Sequence, residues 1–419
     1  MKKNVTTNYI KLLYNNSNFK NLWLSRVISY FGDALYNITI SWYIFSTTGS
    51  AFKVGLVLIA KFLPQVIVGM FLGVLIDKYN KKSLMQLSDI TQAIVTLIFA
   101  ILIAAHAFTY SYIFIINIFL SLAGVLFGTS QSSLLPELVQ KDELISANSL
   151  LSISQQTANL TGSIIGGVIV SLLGEFFSIF IDSMTFFLSF ICIYFIHYKI
   201  STSNINEGIT LKGMFMDVGE GIYWLKNQIE LVLLIVIGMI SNIALGVTNV
   251  LPSMLIKVNF KGNSSALGIF ELSIGLGLLI GGLFIGLISP KRVGKMFLIG
   301  LAVESIGMLG IFISPNFAAA CTGNFVIGFG VTIFNIPMST LFQIMIPANI
   351  RGRVNSISSI AFSISIPITY GAIGAIADVI GAKVCFAIAS LLTAMCLCIG
   401  ASNKKLVKSS LNSSTYTNA

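Results

Sequence analysis

Charge is scarce in this chain. Only 10% of its 419 residues are Asp, Glu, Lys or Arg, against roughly a quarter in a soluble domain. That shortage excludes a fold whose surface faces water throughout. Histidine is nearly absent: the two that occur, His106 and His197, have no metal-ligand spacing to any cysteine. The five cysteines (Cys192, Cys321, Cys385, Cys396 and Cys398) all lie inside apolar runs. They read as small buried hydrophobes, so no disulfide framework, metal site or cofactor is expected. No Gly-x-x-x-x-Gly-Lys-Ser/Thr loop is present, which excludes ATP as a direct driver. Both histidines fall at the ends of apolar runs, so no Ser/His/Asp or metal-ligand set can be assembled at one depth, and an enzyme is not expected. The N-terminus does not read as a signal peptide, because polar residues precede a first apolar run too long for an h-region.

What the chain has in abundance is apolar sequence. It is 55% hydrophobic, with a mean hydropathy of +0.90. Such a chain dissolves in lipid, where a spanning helix needs about 20 mostly apolar residues. The runs are continuous rather than alternating, which favours helices over a barrel. The net charge of +10 could suggest nucleic acid. The bases sit in short loops between apolar runs, however, so they orient the chain in a membrane instead.

Twelve spans are expected, at about 20–46, 54–76, 84–106, 110–134, 146–173, 176–198, 229–253, 265–288, 294–314, 317–345, 354–377 and 381–402. With the N-terminus in the cytosol, nineteen Lys/Arg of the loops and tails fall on that side. Only Lys53, Lys257, Lys261 and Lys383 fall outside. Both termini are therefore expected in the cytosol and the protein in the plasma membrane. A polar linker at 199–228 separates 1–198 from 229–402 and is followed at the far end by a tail, 403–419. Within the linker, Leu211, Phe215, Val218, Ile222 and Leu225 share a face, which reads as an interfacial amphipathic helix with Trp224 at headgroup depth.

The halves echo each other. Pro136-Glu-Leu-Val, eight residues, then Asn148-Ser149 leads into a run containing Gly166-Gly167. Displaced by 207 residues (355 − 148), Gly352-Arg-Val-Asn355-Ser356 leads into a run containing Gly371 and Gly374. The fold class read from this is an all-α integral membrane protein. It has twelve transmembrane helices in two six-helix bundles, related by a pseudo-two-fold axis along the membrane normal.

The loop Gly73-x-Leu-x-Asp77-Lys78-x-x-Lys81-Lys82 resembles motif A of the major facilitator superfamily. Several other features resemble its macrolide-efflux and enterobactin-exporter branch: Asn18-Phe-Lys-x-Leu-Trp23, Gly32-Asp33, Leu63-Pro64, Ser133-Leu-Leu-Pro136, Ala147-Asn148-Ser149, and Leu341-Phe-Gln343-x-x-Ile-Pro347-x-x-x-Arg351-Gly-Arg353-Val. The resemblance implies export of a small amphipathic molecule, such as a macrolide or a siderophore, by alternating access with proton antiport. The alternative is an importer, uniporter or lipid transporter of the same fold with different coupling. Expected partners are the cargo, protons and lipid, with no nucleic acid and a monomeric state. Three departures stand out. Span 4 carries no arginine. Gly162-Ser163-x-x-Gly166-Gly167 resembles the exporter motif C with Ser in place of its proline. The second motif A copy, at 286–295, lacks its aspartate.

Ionisable residues inside membrane runs are costly and mark function. Asp33 and Lys61 lie near the middle of spans 1 and 2 and are expected to pair across a cavity. There they act as a coupling or substrate site; the alternatives are a permanent ion pair that locks the bundle, or Lys61 snorkelling outward. Glu271 and Glu304 are the acids of the second half: Glu271 either faces a cavity or is held neutral between helices, and Glu304 either serves the site or lies on an outer-helix packing face. Arg26, Asp89 and Asp182 lie closer to span ends and read as anchors. Asp77 can sit at the positive end of another helix. The resemblance implies that this helix is span 11, beginning near Gly352 and Arg353, with Lys78, Lys81 and Lys82 bridging to the opposite half when the cytosolic side is shut. Phe31, Tyr36, Trp42, Phe334 and Tyr370 are candidates to line a pocket, or else they face core and lipid. Most glycines read as helix-packing positions, including Gly162 and Gly166.

Overall fold

The computed structural model describes residues 11–76, 79–105, 107, 110–140, 143–197, 223–288, 292–347 and 350–409. Every regular element among them is helical. The long helices are α1 (Ser17–Thr48), α2 (Ala51–Ile76), α3 (Lys81–Ala104), α4 (Tyr110–Leu138), α5 (Leu144–Leu173), α6 (Glu175–Tyr194), α7 (Ile229–Val250), α8 (Ser264–Ile288), α9 (Val293–Ile313), α10 (Phe317–Met345), α11 (Arg351–Ile380) and α12 (Ala382–Ser402). Among the described residues ten helices, α3 to α12, are long and apolar enough to cross a membrane. Helix is the conformation that satisfies every backbone N–H and C=O where no water is at hand.

Helix ends are written into the sequence. Asn16, Asn80 and Asn316 each accept a hydrogen bond from a first-turn amide of α1, α3 and α10, which satisfies one of the donors every helix start leaves open. Gly174 joins α5 to α6 at φ +84, and Gly381 joins α11 to α12 at φ +86. Both positions need glycine, because an L side chain is strained there. They are 207 residues apart (381 − 174), the same displacement as the sequence echo. The expected interfacial helix at 211–225 lies outside the described residues except for its last turn. There Leu225 is buried in a core cluster and Trp224 packs against it, rather than standing free.

The helices divide into two compact units. The first holds 1–49, 56–205 and 262–269; the second holds 50–55, 206–261 and 270–419. In the first unit α1 packs against α5 and α6, and α3 against α4 and α6. Gly162 and Gly166 of α5 lie against α1, where a Cβ on either would press on Ala34 or Leu35. Gly167 lies instead against the backbone at Ser264, in the opening turn of α8. In the second unit α9 packs against α10 and α12, and α7 against α11 and α12.

The second unit also contains the opening turn of α2. Asp378 of α11 caps it: Oδ1 accepts from Ala51 N at 2.6 Å, and Oδ2 accepts from Phe52 N at 3.3 Å and from Ser50 Oγ. The anion also complements the positive end of the helix. Removing a side-chain cap costs about 0.5–2 kcal/mol. Asp378→Ala is therefore expected to lower the melting temperature of the purified protein, whereas a neighbouring change that spares the carboxylate is not.

Candidate functional site

A cavity of about 370 Å³ lies inside the first unit. Its wall follows from helical spacing. On α1, Arg26, Ser29, Tyr30, Asp33, Tyr36 and Asn37 recur every three or four residues and so share one face. The other helices contribute pairs at the same spacing: Lys61 and Gln65 on α2, Asp89 and Gln92 on α3, Gln155 and Asn159 on α5, Asp182 and Phe186 on α6. From α4 come Leu120, Ser121, Gly124, Val125 and Phe127. Three carboxylates thus face two cations, Arg26 and Lys61.

The cations are held by soft contacts. The Arg26 guanidinium lies 4.1 Å from the Tyr30 ring centroid and 4.7 Å from that of Phe127, an attraction of about 0.5–2 kcal/mol per ring. Its Nε has no hydrogen-bond partner. Lys61 Nζ donates to Asn37 Oδ1 and sits 5.5 Å above the Tyr36 ring. Tyr36 in turn donates its hydroxyl to Asn117 Oδ1 at 3.2 Å.

The acids differ from one another. Asp89 is 1% exposed. Its Oδ2 accepts from Ser189 Oγ at 2.6 Å, and Ser189 accepts from Ser25 Oγ at 2.9 Å. Asp182 is equally buried; Oδ1 of each of these two acids has no partner, and only Asp89 has a donor on its other oxygen. It lies so close to Gly32 that any side chain there would overlap it. Asp33 is half-buried. Its charge interacts with those of Lys61 and Arg26, that of Asp182 with Asp33 and Lys61, and that of Asp89 with Arg26 and Asp33. At the low effective dielectric of such a site these interactions are several-fold stronger than in water.

The expected residues are brought together only in part. Asp33, Lys61 and Tyr36 share the cavity. Asp33 and Lys61 do not form the expected ion pair: Asn37, one turn along α1 from Asp33, takes the lysine instead. Phe31 points away, into a separate apolar cleft with Trp23, Ile153 and Thr185. Trp42 is half-buried and outside the lining.

Glu271 and Glu304 belong to the second unit. Glu304 is fully buried and accepts from Ser241 Oγ at 3.2 Å, with the backbone of Gly330 pressed against its own. Phe334 is 2% exposed in a core cluster, 5.0 Å from the Phe297 ring. Tyr370 contributes its carbonyl to the close approach of α11 and Gly55.

In the motif A loop, Asp77 and Lys78 lie outside the described residues, and Gly73 sits within the last turns of α2. Lys81 pairs with Glu137 and Lys82 donates to the Tyr194 carbonyl at 2.8 Å. Both partners are in the first unit, on α4 and at the end of α6. Gly352 and Arg353 stand in the first turn of α11.

Arg26, Asp89 and Asp182 were expected to be anchors and are instead part of the wall. Asp182 is seven residues past Glu175 (182 − 175), and Asp89 eight past Lys81 (89 − 81). At 1.5 Å per residue that is roughly 10–12 Å into each helix. Counting from helix starts rather than from hydropathy limits would have found them.

Among the described residues the chain is all helical, ten of its helices can span a membrane, and a charged cavity lies between helices, an arrangement that suits a transporter. The comparisons with known proteins agree. The profile of the transmembrane secretion effector family of the major facilitator superfamily matches residues 13–417, and the chain belongs to that family. It is 24% identical over 399 residues to macrolide efflux protein A of Streptococcus pyogenes, covering 92% of this chain and 96% of that one. It is 24% identical over 296 residues to the staphyloferrin A transporter of Staphylococcus aureus, covering 70% and 72%. Among solved structures, the nucleoside transporter NupG superimposes with a TM-score of 0.69 at 14% identity, over 92% of this chain and 98% of that one. A bacterial homologue of the iron transporter ferroportin, in an inward-facing state, also gives 0.69, at 15% identity over 90% and 98%. The protein is a multi-pass membrane transporter of small molecules.

Proposed function

We propose that this transporter exports a small amphipathic molecule from the cytosol by alternating access, in exchange for protons. Twelve spans would form two six-helix bundles related by an axis along the membrane normal, with both termini cytosolic in the plasma membrane. The motif A-like loop at Asp77 and Lys78 would bias the cytosolic side toward closure. The observation that carries the reading is the cavity in which Asp33 faces Arg26 and Lys61 without a fixed ion pair. A carboxylate so placed can gain and lose a proton when its surroundings rearrange. The equal 207-residue displacement of the sequence echo and of the two glycine junctions supports the repeat. The relatives that handle macrolides and staphyloferrin A support an amphipathic or siderophore-like cargo.

The test is accumulation of a panel of macrolides and siderophores in cells lacking or overproducing the protein, followed by uptake of the responding compound into inverted vesicles. Overproduction is expected to lower accumulation, and an uncoupler to abolish vesicle uptake. An uptake rate unchanged by the uncoupler would overturn proton antiport, and raised accumulation in overproducing cells would overturn export.

A further inference from the structure

The cavity wall contains one more carboxylate than it has cations. We propose that Asp182 and Asp33 jointly hold one exchangeable proton in this cavity, with Asp182 the second carrier. This deepens the proposed antiport at the same site and rests on that reading for its role in transport.

Asp89 is the acid best supplied with partners. Ser189 donates to it, Ser25 backs Ser189, and the Arg26 charge is within reach. Its other oxygen, Oδ1, is buried without a partner. Asp182 has no comparable support. The Thr185 hydroxyl beside it donates at 2.7 Å to the carbonyl of Asp182 itself and not to the carboxylate. Asp182 Oδ1 is left without a partner in a residue 1% exposed. An ionised carboxylate buried in that way is strongly disfavoured.

The nearest helix surface is Gly32, the residue before Asp33. Glycine at this position lets the α6 carboxylate reach the α1 backbone beside the α1 carboxylate. The titratable and charged groups facing Asp182 are Asp33, Arg26, Tyr30 and Tyr36 on α1, Lys61 on α2 and Asp89 on α3; α4 and α5 contribute none to the wall. With Arg26 balanced by Asp89 and Lys61 balanced by one of the other two acids, a single proton neutralises the remainder. The step is proton transfer alone: an O–H bond on one carboxyl breaks as another forms on an accepting water or on the second carboxylate. Two acids coupled in this way titrate in two separated steps that belong to the pair.

Infrared difference spectroscopy on the full-length protein in lipid vesicles, titrated with pH alone, tests this. In a Glu271→Gln, Glu304→Gln, Asp89→Asn background, which removes three other acids inside the helices, the carboxylic-acid C=O band is expected to change in two steps above the titration of the exposed carboxyls. Adding Asp182→Asn or Asp33→Asn to that background is expected to leave one step. Two steps persisting in Asp182→Asn would overturn the proposal. Should that variant fail to fold, two steps persisting in Asp33→Asn would do the same. The readout needs neither cargo nor gradient, so a protein with the paired steps that exports nothing would refute the export reading and leave the shared proton standing.

Discussion

Asp33→Asn is expected to lower proton-driven efflux at least about tenfold while leaving the amount of folded protein nearly unchanged. Asparagine keeps the shape of the side chain and removes its charge. Asp33 is half-buried and makes no ion pair with Lys61, which is held by Asn37; little folding energy depends on the carboxylate. Its loss leaves Asp89 and Asp182 against Arg26 and Lys61, two charges against two. A balanced cavity has no reason to take up a proton as it reorients. Removing the acid from a proton-transfer step commonly costs 10²–10⁴-fold. The measurement is cargo movement in vesicles under an imposed pH gradient, paired with exchange of labelled for unlabelled cargo at equal pH. Net transport should collapse and exchange should persist. If both persist, Asp33 is structural; if both vanish, it binds cargo rather than protons.

The sequence exposed the membrane helices because a spanning segment must be apolar along its whole length, and α3 to α12 are. It exposed Asp33 and Lys61 by depth, since a charge in the middle of such a run is costly wherever it points. Depth does not say which way a side chain faces, and that limit explains the misses. Asp182 and Asp89 lie only two or three turns in, where a snorkelling anchor is equally possible; facing inward onto α1 is a property of the packed unit. The same limit separates Tyr36, which lines the cavity, from Phe334, which fills a core against Phe297. Both are single aromatics in apolar runs. The Asp33–Lys61 pairing failed for a similar reason: Asn37 shares the helix face of Asp33, and a neutral acceptor one turn away is enough to hold an ammonium group.

Gly328→Val is expected to abolish folded protein. In lipid there is little hydrophobic drive between helices, so association depends on close packing. α10 is gripped on two sides through glycine. A Cβ at Gly328 would overlap the carbonyl of Ile274 on α8, and one at Gly277 of α8 would overlap the carbonyl of Phe325 on α10. On the other side Gly300 and Gly307 of α9 meet the backbone at Phe334 and Ile327. The obstructing atoms are main chain and cannot rotate away, so α8 as a whole would have to move. Overpacking typically costs 1–3 kcal/mol where side chains can adjust, and more is expected here. Gly286, whose Cβ would meet nothing within 4 Å, is the control: Gly286→Ala should leave yield unchanged. Monodisperse protein recovered by size-exclusion chromatography in detergent measures both. Wild-type recovery of Gly328→Val would show that α8 and α10 do not approach through these glycines.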